Sequence, residues 1–269
     1  MFATLNGSPI HFVDEGPRDA MPVVFVHGFP FSHAMWGPQI EAVAARFRTV
    51  AFDVRGHGES AVGDGQYSIE GHVDDLFALL DHLKLPRSVI VGLSMGGYIT
   101  LRALERAQGR FRGAVLCDTR SESDTDEAKI KRFASMAAVK ARGSDFFADG
   151  FVTAVFAPGS FERHPDSIAQ IRGIIRRTPP LSIAGTLLAL ASRTDTTASL
   201  PSIRIPTMIL VGELDATTPV AASEAMHERI PGSELHIIPG AAHMSNLENT
   251  PVFNEHLLGF LGRVAAQES

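Results

Sequence analysis

A single cysteine, Cys117, rules out any intramolecular disulfide and any cysteine-rich metal site, which suits a reducing compartment. It closes the apolar run Gly113-Ala114-Val115-Leu116-Cys117 and reads as a small buried hydrophobe. Basic charge is in short supply: 24 Lys and Arg stand against 30 Asp and Glu, a formal net charge of −6, so no nucleic-acid partner is expected. No run approaches the ~20 apolar residues of a membrane span. The opening Met1-Phe2-Ala3-Thr4-Leu5-Asn6-Gly7 has neither the basic nor the apolar segment of a secretion signal. The expectation is a cytoplasmic protein with no membrane partner. No His, Cys and carboxylate cluster has ligand spacing, so neither metal nor cofactor is expected. Repeats and low-complexity tracts are missing too.

What is present is an ordinary globular composition, 45% hydrophobic and 20% charged over 269 residues. A chain of that length buries about three quarters of its unfolded surface, enough for one large domain with an insertion. Asn6-Gly7 between two short apolar segments predicts a hairpin, with strands over 2–5 and 10–13. Further apolar strands are expected over 23–26, 49–52, 88–91, 113–117, 207–211 and 234–238. Helices are expected between them over 37–46, 68–83, 95–108 and 220–230, with a last one from 245 to about 264. This alternation predicts an α/β fold: a mostly parallel twisted sheet of about eight strands, with helices on both faces.

The alternation lapses between 119 and 200, where several helices are punctuated by Gly143, Gly150, Pro158-Gly159, Pro165 and Pro179-Pro180. The division expected is therefore a core of 1–118 and 201–269 with a helical cap, or lid, of 119–200. The cap leaves and rejoins the sheet at strand ends, so it should sit over the carboxyl edge, where α/β sheets bind ligands.

Gly92-Leu93-Ser94-Met95-Gly96 lies where a β-branched strand gives way to a helical segment. A serine on so tight a turn stands clear of the sheet, beside the N–H of Met95 and the positive end of the next helix. A hydroxyl is a weak nucleophile, so Ser94 needs a base and the base an acid. Of the eleven histidines, His243 follows the last strand in the small-residue loop Pro239-Gly240-Ala241-Ala242-His243. His227 and His256 fall on helices and His236 within a strand. Asp215, in Gly212-Glu213-Leu214-Asp215, ends a strand and is the leading acid, with Asp118 and Glu213 as competitors. The oxyanion hole takes Met95 N–H and, because Pro30 has no N–H, the amide of Phe29 in His27-Gly28-Phe29-Pro30. His27 reads as structural.

His27-Gly28-Phe29-Pro30, Asp53-Val54-Arg55-Gly56-His57-Gly58-Glu59-Ser60, Gly92-Leu93-Ser94-Met95-Gly96-Gly97, Gly212-Glu213-Leu214-Asp215 and Gly240-Ala241-Ala242-His243 occur in that order. Together they resemble the signatures of the α/β-hydrolase superfamily over nearly the whole chain. The nearest likeness is to 3-oxoadipate enol-lactonase-like hydrolases and carboxylesterases. The resemblance implies a serine hydrolase of the Ser94, Asp215 and His243 triad type, with Phe29 and Met95 as oxyanion donors and 53–60 as a structural loop. Ser94 argues against haloalkane dehalogenases, whose nucleophile is an aspartate.

Five phenylalanines, Phe146, Phe147, Phe151, Phe156 and Phe161, fall within the cap. Packing explains some of them; Phe146, Phe147, Phe151 and Phe156, with Phe31 and Trp36, are candidates for an apolar substrate wall. Arg120 is a candidate for a substrate carboxylate, whereas Arg172, Arg176 and Arg177 read first as a solvated helix face. The expected substrate is a small or medium ester or lactone, cleaved with water. Cofactor-free perhydrolases or haloperoxidases, carbon–carbon bond hydrolases and a receptor-like binding protein are the alternatives.

Overall fold

In the computed structural model, which describes residues 1–267, eight strands form one sheet in the order β1-β2-β4-β3-β5-β6-β7-β8. The strands are β1 Phe2–Leu5, β2 Ser8–Glu15, β3 Pro22–Val26, β4 Arg48–Phe52, β5 Ser88–Leu93, β6 Phe111–Cys117, β7 Thr207–Gly212 and β8 Glu234–Ile238. Asn6 and Gly7 both take positive φ and turn β1 back on β2. β1 to β2 and β2 to β4 are antiparallel, and every other pairing is parallel. β3, β5 and β7 are buried along their whole length, as unbroken apolar strands covered on both faces must be.

The core helices are α1 Gly37–Ala44, α2 Ile69–His82 and α3 Met95–Ala107, followed beyond the insertion by α8 Val220–His227, α9 Ser245–Glu248 and α10 Thr250–Ala266. α1 packs on α10 and α2 on α3, so paired helices cover the sheet. The single last helix expected from the sequence is two. Asn249 adopts φ −141° and ψ 61°, and Pro251 restarts the chain as the second residue of α10.

Between β6 and β7 the chain forms α4 Asp126–Val155, α5 Ser160–Arg163, α6 Pro165–Arg177 and α7 Pro180–Ala191. Gly143 breaks the helical dihedrals of α4 with φ 82°. Gly150 does not, since an isolated glycine costs a helix only about 1 kcal/mol. The insertion is tied to two core loops. Thr178 Oγ1 donates to Pro30 O at 3.3 Å and Gln170 Nε2 to Ala34 O at 3.0 Å, in the loop after β3. Met244 N donates to Val155 O at 3.2 Å, in the loop after β8.

Candidate active site

Ser94 sits between β5 and α3 with φ 54° and ψ −113°, the strained conformation that a sharp strand-to-helix turn imposes. It is half-buried between the fully buried Leu93 and Met95, so the serine is the residue offered to the cleft. Its amide donates to Cys117 O at 2.9 Å, and its carbonyl accepts from Thr119 Oγ1 at 2.8 Å, which locks the turn to the end of β6. Met95 opens α3, and the amide of a helix's first residue has no acceptor one turn back. A Cβ on Gly96 would lie 2.1 Å from Val26 O, so only glycine lets α3 press against the end of β3, where the loop to Phe29 begins.

Asp215 and His243 are both buried and meet at 2.8 Å, Oδ2 to Nδ1. An ionised carboxylate only accepts, so Nδ1 carries the proton and Nε2 keeps its lone pair, the tautomer a general base needs. Asp215 also accepts from Thr217 N at 2.8 Å, Thr218 N at 2.9 Å and Thr218 Oγ1 at 2.6 Å. Burial alone would raise its pKa. The charge and hydrogen bond of His243, with the Thr218 bonds, outweigh that and hold the carboxyl below its usual range.

The two competing acids brace the site. Asp118 is fully buried, accepting from Gly212 N at 2.8 Å and from the Ser245 hydroxyl. Burial, with the charge of Asp215 added, pushes its pKa well up. Two neighbouring carboxyls are thus driven in opposite directions, and Asp215 is the one kept ionised. Glu213 accepts from Gly240 N at 2.8 Å, fastening the acid loop to the histidine loop. Gly212 permits the same approach, since a Cβ there would lie 2.0 Å from Ala242 O.

A model of the family described as alpha/beta hydrolase fold matches residues 21–250. The chain belongs to the alpha/beta hydrolase family. It is 29% identical to 3-oxoadipate enol-lactonase 1 of Acinetobacter baylyi, over 97% of this chain and 96% of that one. It is 32% identical to a non-heme chloroperoxidase of Burkholderia pyrrocinia, over 96% and 98% of the two chains. Among solved structures, a thermophilic esterase from Thermogutta terrifontis superposes with a TM-score of 0.94 at 35% identity, covering 98% of each chain.

In this hydrolase the aromatic candidates divide. Phe29 meets Phe147 and Phe151 edge-on at 6.0 and 5.8 Å between ring centres, Phe31 meets Phe151 at 5.9 Å, and Phe147 stacks on Phe151 at 5.3 Å. The aromatic wall therefore joins α4 to the loop after β3. Trp36 is not part of it: fully buried, it packs between Phe25 of β3 and Phe253 of α10, because the 3₁₀ turn His33–Trp36 turns its ring into the core. Phe146 lies on the exposed face of α4 beneath the Arg142 guanidinium, Phe156 is buried at the end of α4, and Phe161 is exposed. Alternate faces of a helix cannot all line one cleft.

Arg120 donates to Thr217 O at 2.5 Å and braces the turn after Asp215, in place of the substrate contact the sequence suggested. Arg172 and Arg176 pair with Asp149, and Arg176 also with Asp145, so both belong to the solvated face joining α6 to α4. His27 is structural as expected: Nδ1 donates to Gly28 O at 2.8 Å and Nε2 accepts from Val54 N at 3.0 Å. Two residues escaped the sequence reading. Thr218, 3.2 Å from His243 Nδ1 as well as bonded to Asp215, was signalled only by the turn-forming Asp215-Ala216-Thr217-Thr218-Pro219. Glu248 is buried; Oε1 accepts from Ala157 N at 2.7 Å and Ser160 Oγ at 2.6 Å, while Oε2 accepts from Ala242 N at 2.8 Å. It joins the helical insertion to the residue before His243, and no local pattern announces it. Among the described residues, no helix is long and apolar enough to cross a membrane.

Proposed function

We propose that this hydrolase cleaves small or medium carboxylic esters or lactones through an acyl-enzyme on Ser94. His243 Nε2 takes the hydroxyl proton as Ser94 attacks the carbonyl carbon, and the imidazolium then returns it to the leaving alcohol oxygen. Phe29 N–H and Met95 N–H receive the oxyanion, and Asp215 holds the imidazolium. Water, deprotonated by His243, splits the acyl-enzyme and releases the acid. One observation carries the reading: the buried Asp215 to His243 bond at 2.8 Å fixes the Nδ1–H tautomer on the sheet edge that also presents Ser94 at φ 54°. The relatives named for enol-lactone and ester cleavage agree with it. The wall of Phe29, Phe31, Phe147 and Phe151 favours an apolar acyl or alcohol group.

The test is turnover of p-nitrophenyl esters from acetate to octanoate by the wild type and Ser94→Ala. Wild-type turnover with a loss of roughly 10⁴-fold or more in kcat is expected; equal rates would end the assignment of Ser94. The relatives named chloroperoxidases favour a second use of the same intermediate, in which hydrogen peroxide replaces water and a peracid leaves. Peracid formation from acetate and hydrogen peroxide that disappears in Ser94→Ala would support it, and none in the wild type would remove it.

A further inference from the structure

His11, His33 and Asp53 lie far from one another in sequence, on β2, in the loop after β3 and just past β4, yet their ligand atoms all fall within 4.8 Å of one another. His11 Nδ1 is 3.0 Å from Asp53 Oδ2, and His33 Nδ1 is 2.8 Å from Oδ1. The two imidazoles are tilted by 50° at 5.0 Å between centres, so neither ring covers the other's nitrogen. Asp53 is held independently of both rings, by His33 N at 2.7 Å and Glu59 N at 3.0 Å, the kind of outer bonding that orients a ligating carboxylate. The carboxylate is fully buried, while the His11 and His33 side chains are 14% and 20% exposed, which leaves a route for an ion. His33 and Asp53 also line a cleft of about 440 Å³ that includes Glu59.

We propose that His11, His33 and Asp53 bind a divalent first-row transition cation of the Zn²⁺ type, through two Nδ1 atoms and one carboxylate oxygen. Around a tetrahedral ion with bonds of about 2.0–2.1 Å, adjacent ligand atoms stand about 3.3 Å apart. The two short separations run to different carboxylate oxygens, so with one oxygen as ligand its own imidazole opens by a few tenths of an ångström and the other imidazole closes in from within 4.8 Å. Neutral imidazoles bind by moving the proton from Nδ1 to Nε2, and water takes the open position. The ion ties β2 and the end of β4 to the loop that carries Phe29. It is distinct from the Ser94 chemistry and does not rest on it.

Chelator-treated full-length protein titrated calorimetrically with Zn²⁺ tests this, with thermal unfolding followed in parallel. One equivalent should bind and raise the melting temperature, with affinity at least tenfold weaker in His11→Ala and in His33→Ala. Ser94→Ala should bind as the wild type does, which keeps the outcome separate from the hydrolase reading. His236→Ala should also bind normally; it removes a surface competitor, in which His236 stacks on His256 at 4.0 Å and meets Glu234 at 3.3 Å. No saturable binding, binding unchanged by both His11→Ala and His33→Ala, or binding lost with His236→Ala would overturn the proposal. If His33→Ala fails to fold, His11→Ala, at a partly exposed side chain of β2, decides it alone.

Discussion

At Asp215 the carboxylate takes four donors, and only one of them, Thr218 Oγ1, comes from a side chain other than the histidine. That hydroxyl is the removable part of the arrangement. A hydrogen bond to a charged group contributes about 1.5–3 kcal/mol, so Thr218→Val should lower kcat roughly 10- to 100-fold while KM stays near the wild-type value. Thr218→Ser should restore most of the rate, and an unchanged kcat in Thr218→Val would show the hydroxyl to be idle. Ser94, His243 and Asp215 could be picked out as candidates because each sits in a short segment of turn-forming residues at a strand end. The burial of Trp36 was not. An aromatic residue just after the Phe29 loop can turn toward cleft or core, and the contacts that decide, with Phe25 and Phe253, come from distant parts of the chain.

Among the elements, the insertion and the histidine loop are joined chiefly through Glu248 and the Met244 to Val155 bond. Glu248→Gln swaps one accepting oxygen for an NH₂ that must face an N–H donor. A buried donor left unpaired costs about 1–3 kcal/mol, and in a protein of this size each kcal/mol lowers the melting temperature by about 2–4 °C. The expected result in thermal unfolding and steady-state assays is a melting temperature several degrees lower, with kcat reduced because Ala242 precedes His243. A variant with wild-type stability and rate would refute the coupling. Strands and core helices were readable from hydrophobic period alone. Where the last helix divides was not, because Asn249 and Thr250 are tolerated in helices and Pro251 is equally at home inside a first turn.

Across the whole molecule, three fully buried histidines make stability depend on acid. Burial lowers His27 to about 4, against the pull of Asp53, and lowers His72 likewise to about 4, against Asp75. Burial, reinforced by His27 and His72, takes His57 well below its ordinary value. A base whose folded pKa lies below its unfolded value of about 6.5 leaves stability intact above that pH. As pH falls toward 4 the unfolded chain gains protons the fold refuses, and stability drops by roughly 1 kcal/mol per pH unit for each histidine. Urea unfolding between pH 7 and 4.5 should therefore show a midpoint falling steadily below pH 6.5. A flat profile over that interval would contradict the neutral burial of these rings.

Periodicity, turn chemistry and five short motifs were enough to specify the α/β alternation, the eight-strand sheet and the three residues of the candidate triad, since all of these depend on neighbours within a few positions. Tertiary structure alone decided which phenylalanines form the wall beside Phe29, that Asp118 and Glu213 brace the loops around Asp215, and that Glu248 links the insertion to His243. It also brought His11, His33 and Asp53 together. The physical reason is common to them all. Each depends on groups tens or hundreds of residues apart, whose meeting is set by the order and twist of the strands that carry them, and no local pattern encodes that order.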